Sequence, residues 1–157
     1  MTSVQVRYIV RDVDAAIAFY TTHLGFHLDM HPAPPFAMLS RGDLRLVLSA
    51  PNSGGGGGQP MPDGTQPVPG GWNRFAIHVD DLEAAVARLR AAGVHFRNDI
   101  IIGVGGKQIL LDDPSGNPVE LFEPTRPEAR QGSPRVMPRA EVPHGGAAGQ
   151  PPNERWS

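Results

Sequence analysis

The chain contains no cysteine, and this absence removes several classes of chemistry at once. Disulfide bonds, thiolate nucleophiles and cysteine-ligated zinc or iron–sulfur sites are all excluded. No apolar run approaches the roughly 18 residues that a membrane-spanning helix requires. The amino end also lacks the basic segment followed by an apolar stretch that marks an export signal. We therefore expect a cytoplasmic protein without a membrane partner.

Net charge is small as well. The formal charge is -2 at pH 7, and the isoelectric point is about 6.3. Nucleic-acid-binding domains carry an excess of lysine and arginine, because contacts to the phosphate backbone supply most of their affinity. The charge balance therefore argues against a nucleic-acid partner.

Glycine and proline are abundant instead, with 19 and 17 copies among 157 residues, and their distribution divides the chain. They concentrate between residues 51 and 71, and again after residue 124. Segments of this composition cannot bury enough apolar surface to fold alone. We predict a first structured unit over residues 1–50, a flexible and passive linker over 51–71, a second unit over 72–124, and a disordered tail over 125–157.

The first unit predicts a strand, a helix and three further strands. Val4–Val10 is rich in β-branched and aromatic residues, as strands are. Asp12 is a good helix N-cap, the following apolar residues recur at helical spacing, and Gly25 ends the helix. The predicted strands that follow are Phe26–Met30, Phe36–Arg41 and Leu44–Ser49.

The second unit repeats this order. Phe75–Val79 predicts a strand, Asp81 caps a helix, and Gly93 ends it. Further strands are predicted at Val94–Arg97, around Gln108–Leu111 and at Pro118–Phe122, with a turn over residues 113–117. Aligning Asp81 with Asp12 superimposes the neighbouring residues of the two units, so the chain is an internal repeat of one βαβββ unit.

Three stretches resemble one known family. They are residues 12–20 followed by Leu24-Gly25-Phe26, residues 79–82 with 91–94, and Asp-Pro-Ser-Gly-Asn-Pro-Val-Glu-Leu over residues 113–121. This pattern is similar to the vicinal oxygen chelate superfamily, which includes glyoxalase I, extradiol dioxygenases and the bleomycin- and fosfomycin-resistance proteins. The resemblance covers residues 4 to 124. It implies an α+β fold in which tandem βαβββ units form a cup-shaped mixed sheet with the helices outside, and it implies a homodimer.

The resemblance also implies where a divalent metal would bind. Family ligands lie seven residues before each capping aspartate and in the last strand, which gives Gln5, Arg74 and Glu120 here. Arg74 cannot be a ligand, because a guanidinium keeps its proton and has no lone pair to donate. His78 lies on the same face as Arg74 but about 13 Å further along, at roughly 3.3 Å per residue. We therefore expect no family metal and no other cofactor, with a divalent metal as the alternative.

Alternation along the strands predicts which side chains face the cup. The predicted ligand-binding residues are Gln5, Arg7, Arg45, Arg74, His78 and Phe122. Glu120 is the candidate catalytic residue, and it is also the obvious counter-charge for Arg74. One hypothesis is an internal ion pair that replaces the metal and holds the two half-cups together. The other leaves arginines available to bind a carboxylate or another anion bidentately.

Two functions are compatible with these residues. The first is a metal-independent protein of the bleomycin-resistance type that binds a small anionic or aromatic molecule. The alternative is a metal-dependent lyase, isomerase or dioxygenase of the glyoxalase I or extradiol dioxygenase class, with Glu120 as metal ligand or general base and Gln5 assisting. Arg74 would stabilise the charged form of that carboxylate rather than prepare it for proton transfer. The sequence therefore favours binding over catalysis.

Overall fold

A computed structural model of the protein describes residues 4–54 and 56–127, which fold as two copies of a βαβββ unit. The first copy comprises β1 (Val4–Ile9), α1 (Val13–His23), β2 (His27–Ala33), β3 (Phe36–Arg41) and β4 (Leu44–Ser49). The second comprises β5 (Ala76–His78), α2 (Leu82–Ala91), β6 (Ile101–Ile102), β7 (Gly106–Asp112) and β8 (Pro118–Pro124). Almost all of the predicted tail lies outside the described residues. In the described part of the chain, no helix is long and apolar enough to cross a membrane.

Both helices begin and end where the sequence predicts. Asp12 and Asp81 each accept a hydrogen bond from the backbone N–H three residues later, at 3.0 and 2.9 Å. These bonds satisfy donors that the first helical turn leaves without intrahelical partners. Gly25 and Gly93 follow the last helical turns with φ values of 68° and 82°. A residue with a Cβ rarely adopts this left-handed conformation, so glycine ends each helix.

The strands form two four-stranded mixed sheets with matching topology. Their orders are β1-β4-β3-β2 and β5-β8-β7-β6. In each sheet the first strand of the unit pairs in parallel with the last, and the other pairs are antiparallel. The predicted α+β fold of two tandem βαβββ units is confirmed.

The predicted strand at 94–97 is wrong. This segment forms only an isolated bridge between Phe96 and Leu111, and the strand that pairs with β7 lies at Ile101–Ile102 instead. Asn98 explains the interruption, because its side-chain oxygen accepts a hydrogen bond from the Leu110 N–H at 2.9 Å. An asparagine side chain that takes the place of a backbone acceptor competes with the regular ladder.

The two units share one hydrophobic core on the helix side of the sheets. Phe75 of the second unit packs among three aromatic residues of the first. Its ring centroid lies 5.2 Å from Tyr8, 5.9 Å from Phe26 and 6.4 Å from Tyr20. Aromatic contacts of this kind add stability beyond the apolar area that they bury. The aromatic cluster therefore joins the second unit to the first.

A buried carboxylate completes the junction between the units. Asp113, in the turn between β7 and β8, is only 4% exposed. Its Oδ1 accepts from the N–H groups of Ser115 and Asn117 at 2.8 and 2.9 Å, while its Oδ2 accepts from the Tyr20 hydroxyl at 2.9 Å. The Asn117 amide donates both to Asp113 Oδ2 at 3.0 Å and to the Ile9 carbonyl at 2.8 Å. A turn of the second unit is thereby bonded to both the helix and the first strand of the first unit.

Replacing Asp113→Asn tests this junction. An amide nitrogen would stand where one carboxylate oxygen now accepts, so at least one buried donor loses its partner. We expect the free energy of unfolding to fall by about 1–3 kcal/mol, measured by denaturant unfolding. Asp43→Asn is the matched control, since Asp43 lies at the β3–β4 turn of the first unit and is exposed. Equal losses in the two variants would contradict the role given to Asp113.

The two tyrosines of the chain supply a second test. Burial is the main cause that raises the pKa of Tyr8 to about 12, and burial followed by the charge of Asp113 raises the pKa of Tyr20 well above its ordinary value. The unfolded chain therefore loses its phenolic protons first, and the free energy of unfolding falls as the pH rises from about 10 towards 12. In an alkaline titration, tyrosinate absorbance should appear only together with loss of circular dichroism. A phenolate signal near pH 10 from folded protein would contradict this.

Candidate functional site

The face of each sheet opposite its helix, here called the open face, carries the predicted ligand-binding residues. The strand register assigns them to two separate groups. The first sheet carries Gln5, Arg7 and Arg45, and the second carries Glu120, His78 and Phe122, with Arg74 just before β5. The residues predicted to share one pocket are thus divided between the open faces of two sheets.

Arg7 lies under the segment that composition predicts to be a passive linker. Its Nη1 donates to the buried Ser49 hydroxyl at 2.6 Å. Residues Gly56–Gly58 form a short 3₁₀ turn that packs on this group, and a Cβ at Gly57 would overlap the Arg7 guanidinium. A Cβ at Gly58 would overlap the backbone carbonyl of Ala50. Two glycines of the linker are therefore required by close approach to β1 and to the end of β4.

The Arg45 guanidinium lies at the other end of the first open face from that of Arg7. Its Nη1 donates to the carbonyl of Gly42 at 3.1 Å and to that of Leu44 at 3.4 Å, at the β3–β4 turn. Among the described residues, neither Arg7 nor Arg45 forms an ion pair. Among the described residues, both guanidiniums on the first open face therefore have only neutral oxygens as hydrogen-bond partners.

On the second open face, the expected pair of Arg74 and Glu120 is formed. Arg74 Nε and Nη2 both contact Glu120 Oε2, at 3.0 and 2.9 Å, and Nη1 donates to the Trp72 carbonyl at 3.3 Å. The Glu120 side chain is 15% exposed and the Arg74 side chain 30%. The half-buried pair is therefore joined by two charge-assisted contacts.

The role expected for this pair is wrong in one respect. Both residues belong to the second unit, and the residue pairing of β5 with β8 sets them at neighbouring positions of one sheet. The pair therefore does not hold the two halves together. Phe75 and Asp113 join the two units instead. The strand pattern could not predict this, because a long-range contact depends on how whole units pack.

The internal repeat identifies four positions equivalent to a metal-ligand set, and their side chains do not fit a divalent ion. Gln5 and Arg74 each lie seven residues before a capping aspartate. Val47 lies in the first sheet at the position that Glu120 has in the second, since Arg7 pairs with Val47 as Ala76 pairs with Glu120. Valine has no donor atom, and arginine adds a positive charge where the cation would bind.

A separate acidic cluster, Asp81, Glu83 and Glu123, brings three carboxylates within 4.8 Å of one another. Lys107 already satisfies it, because its Nζ lies 2.8 Å from Glu83 Oε1 and 3.4 Å from Glu123 Oε2. Glu123 Oε2 also accepts from the Leu82 N–H at 2.8 Å. The hydrogen bond to Glu83 is the main cause that raises the pKa of Lys107. This cluster caps α2 and pairs with lysine.

His78 and Phe122 form the aromatic part of the second open face. Their ring centroids lie 5.4 Å apart at an interplanar angle of 51°. A cavity of about 260 Å³ adjoins His78 and is lined also by Val79, Asp80, Glu123 and Pro124. These two rings offer a stacking surface beside the ion pair of Arg74 and Glu120.

Sequence reasoning missed Trp72, an exposed aromatic residue at the edge of this face. It is 70% exposed, and the Arg97 guanidinium stacks on its ring at 4.9 Å. Arg97 is held in place by Asp112, at 2.6 Å, and by the carbonyls of Gly71 and Gly116, at 2.8 and 2.9 Å. A tryptophan beside a glycine-rich segment was the available signal, but its stacking partner comes from a distant part of the chain.

Several solved structures resemble this fold. An antibiotic-binding protein from Streptomyces sp. CB03234, TnmS3, is 25% identical, with 80% of this chain and 97% of that chain covered and a TM-score of 0.60. A member of the glyoxalase/bleomycin resistance protein/dioxygenase superfamily from Sphaerobacter thermophilus DSM 20745 is also 25% identical, covering 78% and 97%, with a TM-score of 0.63. A lactoylglutathione lyase from Agrobacterium tumefaciens, 23% identical with 78% and 92% covered, has a TM-score of 0.61 and shows the fold alone.

Curated protein sequences give no match to this chain. A family model does match, over residues 2–121, which is most of the chain and spans both βαβββ units. The matched region contains every residue that defines the two sheets except the end of β8. The chain belongs to the glyoxalase/bleomycin resistance protein/dioxygenase superfamily.

Proposed function

We propose that this protein binds a small anionic or aromatic molecule on its open faces and does so without the family metal. The observation that carries the proposal is Arg74, which occupies one expected ligand position and holds Glu120, the residue at another. A dication would have to displace a guanidinium from its carboxylate and then accept an incomplete donor set. The antibiotic-binding relative supports a binding role, since it shares a quarter of its residues with this chain.

The two faces supply complementary chemistry for such a ligand. Arg7 and Arg45 have neutral hydrogen-bond partners, so they are the cations available to a carboxylate or another anionic group. Arg74 is less available, because Glu120 already neutralises it. His78 and Phe122 offer ring surface to an aromatic group. We also propose that the protein is a homodimer, as the family resemblance implies, and that it is cytoplasmic.

The enzymatic alternative has less support from these contacts. A general base must accept a proton during the reaction. Glu120 would lose two charge-assisted contacts to Arg74 on doing so. Gln5, its proposed assistant, lies on the other sheet. The similarity to a lyase structure supports the fold but gives no support for the reaction.

The metal-free part of the proposal is tested by elemental analysis of protein purified without chelators or added metal. We expect no stoichiometric nickel, zinc, iron or manganese, because the four equivalent positions hold a single carboxylate. One metal ion per chain that disappears in Glu120→Gln but persists in Glu83→Gln would overturn the proposal. Glu83 is the control because it belongs to the other acidic cluster.

The binding part is tested with a two-ring aromatic acid, 1-naphthoate, against its neutral isostere 1-naphthamide. We expect the acid to raise the thermal midpoint more than the amide. Arg7→Gln or Arg45→Gln should weaken binding of the acid by roughly tenfold, as loss of one charge-assisted hydrogen bond does. Phe122→Leu should weaken both compounds severalfold, because stacking is lost. Arg90→Gln is the control, since Arg90 is an exposed residue of α2 that pairs with Asp99. No stabilisation by the acid would contradict anion binding.

A further inference from the structure

A second cavity lies on the opposite side of the sheets, between the two units. Its volume is about 200 Å³. The floor is apolar and belongs to the second unit, with Ile77, Leu89 and Leu121 among its residues. The rim contains Arg41 of the first unit and Arg88 of α2. None of the residues that the ligand-binding proposal uses lines this cavity.

The rim is basic, and no acidic residue in the described part of the chain balances it. His23, Arg41 and Arg88 line the cavity, and its described lining residues include no aspartate or glutamate. Among the described residues, neither arginine forms an ion pair. Both guanidiniums keep their charge at any physiological pH. Two like charges therefore face a partly apolar cavity, where an anion would be attracted more strongly than at an open surface.

Neighbouring carbonyl groups hold the two arginines close together. Arg41 Nε donates to the Leu24 carbonyl at 3.0 Å, and both Nη atoms of Arg88 lie 3.4 Å from the His23 carbonyl. These carbonyls end α1, where the helix dipole favours positive charge. The bonds use Nε of Arg41 and leave its Nη groups without a partner among the described residues. The end of the helix thus orients two cations toward one cavity.

We propose that this inter-unit cavity is a second binding site, for a small carboxylate that carries a short apolar group. The carboxylate would lie between Arg41 and Arg88, and the apolar group would contact Ile77, Leu89 and Leu121. The cavity volume is below the roughly 300 Å³ at which pockets for drug-sized ligands begin, so the ligand is small. Such a ligand touches both units, and its binding stabilises their junction.

Isovalerate and its neutral isostere isovaleramide test the site on the full chain, by calorimetric titration and by thermal midpoint. The acid should bind and raise the midpoint, and the amide should do neither to the same degree. Arg41→Gln or Arg88→Gln should weaken binding of the acid by roughly tenfold. Ala85→Leu, which places extra volume in the cavity lining, should abolish it. Ala87→Leu is the matched control, because Ala87 lies on the exposed side of the same helix.

The other outcomes overturn the site in distinguishable ways. If the arginines only cap α1, Arg88→Gln lowers the midpoint while the affinity for isovalerate stays unchanged. If the acid binds on the open faces instead, Arg7→Gln abolishes binding and Ala85→Leu does not. If inorganic phosphate stabilises the protein as much as isovalerate, the apolar floor takes no part. If naphthoate fails to bind at the open faces, the isovalerate results can still be interpreted, because the two sites share no residue.

Discussion

The arrangement of the two βαβββ units depends on the buried carboxylate of Asp113. Each βαβββ unit has an apolar helix side that it cannot cover alone, so the two units must meet there. Packing alone sets no unique orientation, whereas a carboxylate with four donors from both units does. Leaving any of those donors buried without a partner costs free energy, so other orientations of the two units are unfavourable. The open faces and the inter-unit cavity take their positions from this contact.

The repeat is less symmetric in its contacts than in its sequence. The turn of the second unit is buried and bonded to Tyr20 and Ile9, while the Asp43 turn of the first unit is exposed. The same asymmetry extends to the open faces. The first has arginines with neutral partners and a glycine turn packed on it, and the second has a closed ion pair beside two aromatic rings. The two repeats are therefore scaffolds of the same topology with different surface chemistry.

Local physics made much of this fold predictable. Asp12 and Asp81 cap helices through bonds to residues three positions away, and Gly25 and Gly93 end them because of their own backbone conformation. The period of two along the strands placed Arg74 and Glu120 on one face. It could not reveal that the pair stays within a single sheet. The strand period also could not predict that Gly57 packs against Arg7, because a glycine has no side chain that would mark the contact. Nor could it predict that the side chain of Asn98 interrupts the pairing with β7.

The ion pair of Arg74 and Glu120 has a consequence for how the protein depends on its surroundings. A bound metal must be acquired after synthesis, competes with other ions of similar size, and is lost to a chelator. A guanidinium is encoded in the chain and is present as soon as the sheet forms. It also presents planar donors in fixed directions rather than a centre with open coordination positions. For the metal-free site that we propose, this pair would remove the dependence on metal supply and would place fixed, oriented donors where a Lewis acid would otherwise bind.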